Sequence, residues 1–553
     1  MTQTTSPVFR STAQDQQDLA DIELALRTDV PHAIELARAA LARGFEHPKV
    51  LNLVAFQLEE EGRYPEALRL LDRAAGLDPA DVLIWNSVGL VLMKQDKRRA
   101  AVAAFEHALA LNPYFAQAYQ NLGRALEELG DYEGAREQFE QAVRLFPEYA
   151  DPLAGLASLA GRDGDWPAVR DYASRALALQ PFQPAAICAI ANADVNAKNF
   201  EAAMLSLREL AAHPGLDRFD KPSVHCLLGD ALDGLGRADE AFAEYLAGKA
   251  GFREVHRQQY EQPGLETQLD AARRLAAYFE KAPSGPWSAP APLAEGEAGP
   301  ARGHAFLVGF PRSGTTLLEN VLASHTDVLA IDERVTLRDI ETVYLSNTGM
   351  LDHLGVLSVA EAAQRRSEYW AGVRDLKMTP DGKVVVDKMP LYTTKLPIIS
   401  KLFPSVKILF AQRDPRDVVL SCFRRPFQIN AGMYQFVTLD GAARYYDAVM
   451  SLAEIYREKL PLDMYVIRYE NLVEDFEGET RAVCDFLDID WRESLHNFAE
   501  NARERQIRTP SAAQVRGGLY SSGAGQWRRY EKHLESIMPI LEPWVGRFGY
   551  GSD

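Results

Sequence analysis

Residues 309–316 read GFPRSGTT, directly after the apolar run AFLV. Gly309 and Gly314 keep the spacing of a phosphate-cradling loop, where glycines allow a tight turn and close approach of an anion to the backbone. A helix starting near Thr315 would point its unpaired N–H groups and positive dipole end at that anion. Ser313, Thr315 and Thr316 add hydroxyl donors, and Arg312 adds a charged fork. The position where an ATP-cleaving loop carries lysine holds Thr315. Such a loop uses its lysine and Mg²⁺ to handle β and γ phosphates. A transferred group of lower charge, such as a sulfuryl group, needs less neutralisation.

Three further places could do chemistry. Arg413 and Arg416 of FAQRDPR sit where a strand should end. Ser421 and Arg425 are four apart, hence on one helical face. With Arg413 they could clamp a phosphate by charge-assisted bonds. Asp332 and Glu333 close the apolar run VLAI, so a carboxylate reaches a sheet rim, and Lys388 stands in VVVDKMP. Taken singly, each has an ordinary reading. A carboxylate there is a solvated cap, Lys388 a surface lysine, and RDPR a helix start with Asp414 as N-cap and Pro415 at the first position. Their joint order favours function. His304 and His325 have no ligand partners at useful spacing and read as structural. Asp488-Ile489-Asp490 mimics a metal-binding DxD motif but reads as a turn.

These residues need a frame. HAFLVGF, KVVVDK, VKILFAQR and MYVIRYE are short apolar runs rich in β-formers. GTTLLENVLAS, LYTTKLPIISKLF, PRDVVLSCFRR and LDGAARYYDAVMSLAEIYREKL separate them as helices. The alternation predicts an α/β domain over 304–553, with a mostly parallel sheet and helices on both faces. Ligands of such sheets sit beyond the carboxyl ends of the strands, where GFPRSGTT lies. Residues 281–303, rich in Pro, Ala and Gly without periodicity, read as a linker.

FLVGFPRSGTTLLENVLASHTDVLAIDE resembles the 5′-phosphosulfate loop of sulfotransferases that use 3′-phosphoadenosine 5′-phosphosulfate (PAPS). FAQRDPRDVVLSCFRR resembles their 3′-phosphate motif. The fit is to the tyrosylprotein sulfotransferase-like branch and covers about residues 304–530. The resemblance implies a P-loop-like fold, transfer of a sulfuryl group from PAPS to an acceptor hydroxyl, and PAP as product, with no metal required. It implies that Arg312 contacts the sulfuryl group and that Ser313, Gly314, Thr315 and Thr316 hold the 5′-phosphate. Glu333, 21 residues after Arg312, falls at the general base, with Asp332 beside it as the alternative. Lys388 matches the lysine at the bridging oxygen. Arg413, Ser421 and Arg425 match 3′-phosphate ligands, and Tyr469 a cofactor contact. Ser511 matches the serine assisting at the transferring group, and the segment to Tyr520 would cover the nucleotide. The family lysine before its tryptophan is here Gln526, before Trp527; Arg528 or Arg529 is the candidate replacement.

The first half is different. Pro79, Pro113, Pro147 and Pro181 lie 34 residues apart, as do Tyr64, Arg98, Tyr132, Trp166 and Phe200. Ala67, Ala101, Ala135, Val169 and Ala203 keep the same period, and Gly89 and Gly123 are followed by Ala157 and Ala191. This is the tetratricopeptide (TPR) period, in which small residues let paired helices pack closely. Residues 1–280 are therefore expected to form an all-α TPR superhelix of roughly six pairs, including 16–44 and an out-of-phase copy at 227–246. Its concave face would recruit a substrate or protein partner, or form a homodimer.

Net charge is −18, with −14 in residues 1–303 (30 basic, 44 acidic) and −4 in 304–553 (30 basic, 34 acidic). That argues against nucleic-acid binding and requires any anion site to be a local basic cluster. Four scattered cysteines form no disulfide framework, and no stretch approaches the ~18 apolar residues of a membrane span. The expected setting is cytoplasmic, with no membrane span. Two rivals to the enzyme are a TPR scaffold with an inactive nucleotide domain, and a TPR-linked kinase or glycosyltransferase. The acceptor could be a peptide tyrosine, a sugar, a lipid or a small molecule.

Overall fold

A computed structural model describes residues 12–291, 293, 299–504, 515–516, 518–519 and 523–551. The chain divides into two compact units, Met1–Gly161 with Asp165–Ala193, and Arg162–Gly164 with Asp194–Asp553.

The helices of the first half come in antiparallel-type pairs joined by short turns, beginning with Ala13–Ala25 and Val30–Ala42. The 34-residue period falls on the second helix of each pair. Tyr64, Arg98, Tyr132, Trp166 and Phe200 are the first residues of Tyr64–Leu77, Arg98–Leu111, Tyr132–Leu145, Trp166–Leu179 and Phe200–Ala212. Ala67, Ala101, Ala135, Val169 and Ala203, three residues on, are fully buried. The glycine column has a packing cause. A Cβ on Gly89 would lie 2.3 Å from the Phe105 ring, and one on Gly123 2.4 Å from Phe139. Both rings are fully buried, worth roughly 1.5–3 kcal/mol each.

The second unit repeats the device. Gly229 lies sixteen residues before Tyr245, as Gly89 does before Phe105, and a Cβ there would lie 2.5 Å from the Tyr245 ring. Lys221–Gly234 and Ala238–Tyr260 thus make the out-of-phase pair expected from the sequence. With it the described residues hold seven pairs, against the roughly six expected. Part of the proline-rich stretch is packed: Trp287 is buried against Phe279 (ring centroids 4.7 Å), and Lys401 Nζ donates to the carbonyls of Pro286 and Ala289.

The sheet has five parallel strands in the order β2-β3-β1-β4-β5: β1 Gly303–Gly309, β2 Val328–Asp332, β3 Val384–Lys388, β4 Lys407–Gln412 and β5 Asp463–Arg468. The central strands are apolar through most of their length because both faces are covered. In register, Asp332 and Leu307 each pair with Lys388, Gly309 pairs with Ala411, and Gln412 with Arg468. One rim therefore carries the ends of all five strands. The helical α/β reading holds, with one local difference. Residues 391–403, expected as one helix, form a 3-10 turn, Pro390–Lys395, and a separate helix, Leu396–Leu402. Pro397 starts the second piece as a first-turn proline, where its missing N–H is harmless. Among the described residues no helix is long and apolar enough to cross a membrane.

Candidate active site

The loop after β1 turns at Gly309, whose φ is +150°; a Cβ there would lie 2.5 Å from the Ala411 carbonyl oxygen on β4. Thr393 fixes this corner: its hydroxyl accepts from the Gly309 N–H (3.0 Å) and donates to the Gly309 carbonyl (2.7 Å). Gly314, φ +94°, is the N-cap of Thr315–Ala323 and no side chain caps that helix end. The first-turn N–H groups and the buried hydroxyls of Ser313, Thr315 and Thr316 therefore frame a place for an anion. A Cβ on Gly314 would press to 2.8 Å of the Tyr469 ring. Arg312, with φ +72°, sits in left-handed backbone that long side chains rarely adopt.

The arginine side of the site meets this loop directly. Arg312 Nε donates to Ser421 Oγ (2.9 Å). Arg413 Nη1 donates to the Arg312 carbonyl (3.0 Å), Nη2 donates to the Gly523 carbonyl, and the guanidinium lies 4.7 Å from the Tyr469 ring centroid. Arg312, Gly314, Arg413, Ser421 and Tyr469 thus form one cluster. Asp414 caps Pro415–Arg424 as expected, and Arg416 lies over the Trp527 ring (3.8 Å). Gln526 accepts from Arg424 (3.3 Å), Arg529 pairs with Asp233 (2.9 Å), and Arg528 lies 5.4 Å from the Trp527 ring.

Arg425 departs from its expected place. The helix stops at Arg424, and Arg425 is extended, with φ −77° and ψ 134°. Pro426 follows and disfavours helical backbone at the residue before it, so Ser421 and Arg425 do not share a helical face. Arg425 Nη1 instead donates to Asp230 (3.2 Å).

The other side of the site is built on strand ends. Lys388 is fully buried, with its Nζ 2.6 Å from Asp332 and 2.9 Å from Glu333. Burial opposes its charge, but the carboxylates of Asp332, Glu333 and Glu319 outweigh that and hold the ammonium above its ordinary range. The Glu333 N–H donates to the Lys388 carbonyl (3.0 Å), continuing the strand pairing by one residue. Glu333 has φ +44°, the second long side chain of this site in left-handed backbone. Behind Lys388, on the opposite face of β3, Asp387 is fully buried and accepts from Thr336 (2.7 Å) and Tyr369 (3.0 Å). Burial pushes its carboxyl up to about 7, against the pull of those hydroxyls and Lys388.

Sequence reasoning missed Asp387, Thr393, Asp230 and Asp233. Asp387 left one trace, an acid inside an otherwise apolar strand. Ser511 and Tyr520 lie outside the described residues. His304 packs among Phe306, Tyr369, Trp370 and Phe403 and bonds Tyr369; desolvation of its ring depresses it to about 3, which fits a structural role. Asp488 ends Phe476–Leu487 in left-handed backbone, the turn expected of the DxD stretch.

Residues 305–493 match the model of a sulfotransferase family, and residues 58–113, 86–150 and 121–184 match that of the tetratricopeptide repeat. An uncharacterized protein of Aquifex aeolicus (strain VF5) is 26% identical over 255 residues, 45% of this chain and 33% of that protein, so the match spans a third of that relative's length. Protein-tyrosine sulfotransferase 1 of Danio rerio is 28% identical over 261 residues, 44% of this chain and 71% of that protein. Among solved structures, that of Pseudomonas aeruginosa pilF aligns with 38% of this chain and 97% of its own at 18% identity, with a TM-score of 0.31.

Proposed function

We propose, for a chain that carries a sulfotransferase-family domain and tetratricopeptide repeats, that it transfers a sulfuryl group from PAPS to an acceptor hydroxyl and releases PAP. One observation carries the reading: Lys388, buried at the sheet rim, is held against Glu333 beside a glycine-bounded anion loop that lacks the phosphoryl-transfer lysine.

Glu333 acts as the base. Its side chain is 30% exposed, against 10% for Asp332, so it is the carboxylate that an acceptor reaches. As the acceptor oxygen bonds to sulfur, its proton passes to Glu333 and the bond from sulfur to the bridging oxygen breaks. That electron pair stays on the 5′-phosphate. Lys388 balances charge on the bridging oxygen and Arg312 charge on the sulfuryl oxygens. Asp332 keeps Lys388 protonated and aimed. Arg413, Ser421 and Arg425 recognise the 3′-phosphate, and Ser313 through Thr316 the 5′-phosphate. The TPR array recruits the acceptor or a protein partner, and a protein tyrosine is the acceptor favoured by the Danio rerio relative's name.

Titration of the full chain with PAP, ADP and UDP tests the reading. PAP should bind selectively, and Arg413→Ala should abolish that preference. Equal or tighter ADP binding would reject a PAPS-type donor. Labelled PAPS incubated with cell extract would then identify the acceptor.

A further inference from the structure

Arg425 is held by a helix pair far upstream in sequence, and that hold reaches both its side chain and its backbone. Asp230, on Lys221–Gly234, accepts from Arg425 Nη1 at 3.2 Å. The same carboxylate accepts from the Tyr245 hydroxyl (2.8 Å) and lies 3.6 Å from Arg424 Nη2. Lys249, on Ala238–Tyr260, donates from Nζ to the Arg425 carbonyl at 2.7 Å. Asp233 holds the neighbouring Arg424 at 2.6 Å, and that guanidinium lies 5.0 Å from the Tyr245 ring and 5.3 Å from the Tyr530 ring. All of these residues belong to the second compact unit.

Lys249 is the costly member. Its side chain is almost fully buried beside the Phe252 and Phe423 rings, and burial drags it down to about 8. A buried ammonium is retained where it has a specific partner. Here that partner is a carbonyl at the C-terminal end of Pro415–Arg424, the end that favours a cation. Arg425 itself is 30% exposed on its side chain. Its bond to Asp230 uses one nitrogen of a five-donor fork and leaves the rest of the fork to reach an anion.

We infer that Asp230 and Lys249 position Arg425 for the 3′-phosphate of the donor nucleotide, making the last helix pair of the array a working part of the nucleotide site. This rests on the PAPS reading of the site. Without the pair, Arg425 would occupy many rotamers, and ordering it on binding would cost affinity. The coupling is reciprocal: what moves Lys221–Gly234 changes how the 3′-phosphate is held, and nucleotide binding in turn steadies that helix.

PAP and AMP differ only in the 3′-phosphate, so the ratio of their affinities reads the 3′-phosphate subsite, and the variants isolate the share of Arg425. Calorimetry on the full chain should show a PAP preference in the wild type. Arg425→Ala should cut that preference by about tenfold or more. Asp230→Asn should cut it by roughly threefold to tenfold while leaving AMP affinity and melting temperature near wild type. The double variant should be no worse than Arg425→Ala. Where Asp230→Asn fails to fold, Lys249→Met carries the test and should shift the ratio in the same direction. An Asp230→Asn ratio equal to or above the wild type overturns the inference, the latter showing that Asp230 competes with the phosphate. So does a double variant that loses the sum of both effects, or a preference undiminished in Arg425→Ala. A wild type with no PAP preference instead removes the PAPS reading on which the inference stands.

Discussion

The two sides of the candidate site are held in different ways. Lys388, Asp332 and Glu333 are ends of adjacent strands, and sheet register alone brings them together: Asp332 pairs with Lys388, and the Glu333 N–H adds one more ladder bond. Arg424 and Arg425 lie at the end of a helix, held by Asp233 and Asp230 some 190 residues earlier in the chain (191 and 195 positions away). In the proposed function the first side holds the base and the cation for the bridging oxygen, and the second binds the nucleotide. The first rests on strand register, the second on the helix pair Lys221–Gly234 and Ala238–Tyr260.

The sharpest break of this contrast is Glu333→Gln. Turnover of labelled PAPS with a working acceptor should fall by about 10²–10⁴, while PAP affinity stays within about twofold. Loss of PAP affinity in step with turnover would mean that the two sides are not separate. Next, Lys388→Met leaves Asp332 and Glu333 facing each other without their cation. Chemical denaturation should show a loss of roughly 3–5 kcal/mol, and a change under 1 kcal/mol would show that the strand ends do not depend on the pair. Asp387 gives a pH test of the same region. Its carboxyl is pushed up to about 7, so the folded protein holds that proton more tightly than the unfolded chain does. Its contribution is therefore greatest at low pH and declines as pH rises toward 7. Against Asp387→Asn, the wild type should lose about 2–4 kcal/mol of stability from pH 4 to 7, and parallel pH curves would refute the assignment. The smallest effect is on the other side: Tyr245→Phe removes one hydroxyl from Asp230 and should weaken PAP binding by about 0.5–1.5 kcal/mol, with unchanged turnover at saturating PAPS. A turnover defect there would tie the helix pair to chemistry as well as binding.

Much of this was legible because it is local. The glycine loop, the strand runs and the TPR period are short-range patterns, and each came out as an element in its expected place. The helix pair at 227–246 could be read from LLGDALDGLGRADEAFAEYL even out of phase, since its glycine and aromatic keep the sixteen-residue spacing that packing requires. Arg425 departs from the helical face that its i, i+4 spacing predicts because Pro426 follows it and disfavours helical backbone there. Asp230 and Asp233 left no local signal, because their partners are distant in sequence and an acid in a TPR helix reads as a solvated face. Thr393 was hidden in the same way: its purpose is a corner of backbone on another strand.

Among the described residues, six that are not glycine have left-handed backbone, and two of the six are Arg312 and Glu333. A long side chain held so costs of order 1–3 kcal/mol. Lys377 and Asp488 of the same domain share that backbone, but Arg312 and Glu333 are the two proposed to act at the reacting group and the proton. Replacing either by glycine or asparagine would relax the turn, and the relaxed protein would resist heat better than the parent while doing less. A library of this chain screened for thermal robustness alone would select against its own activity, and these two codons are where that drift would first be seen.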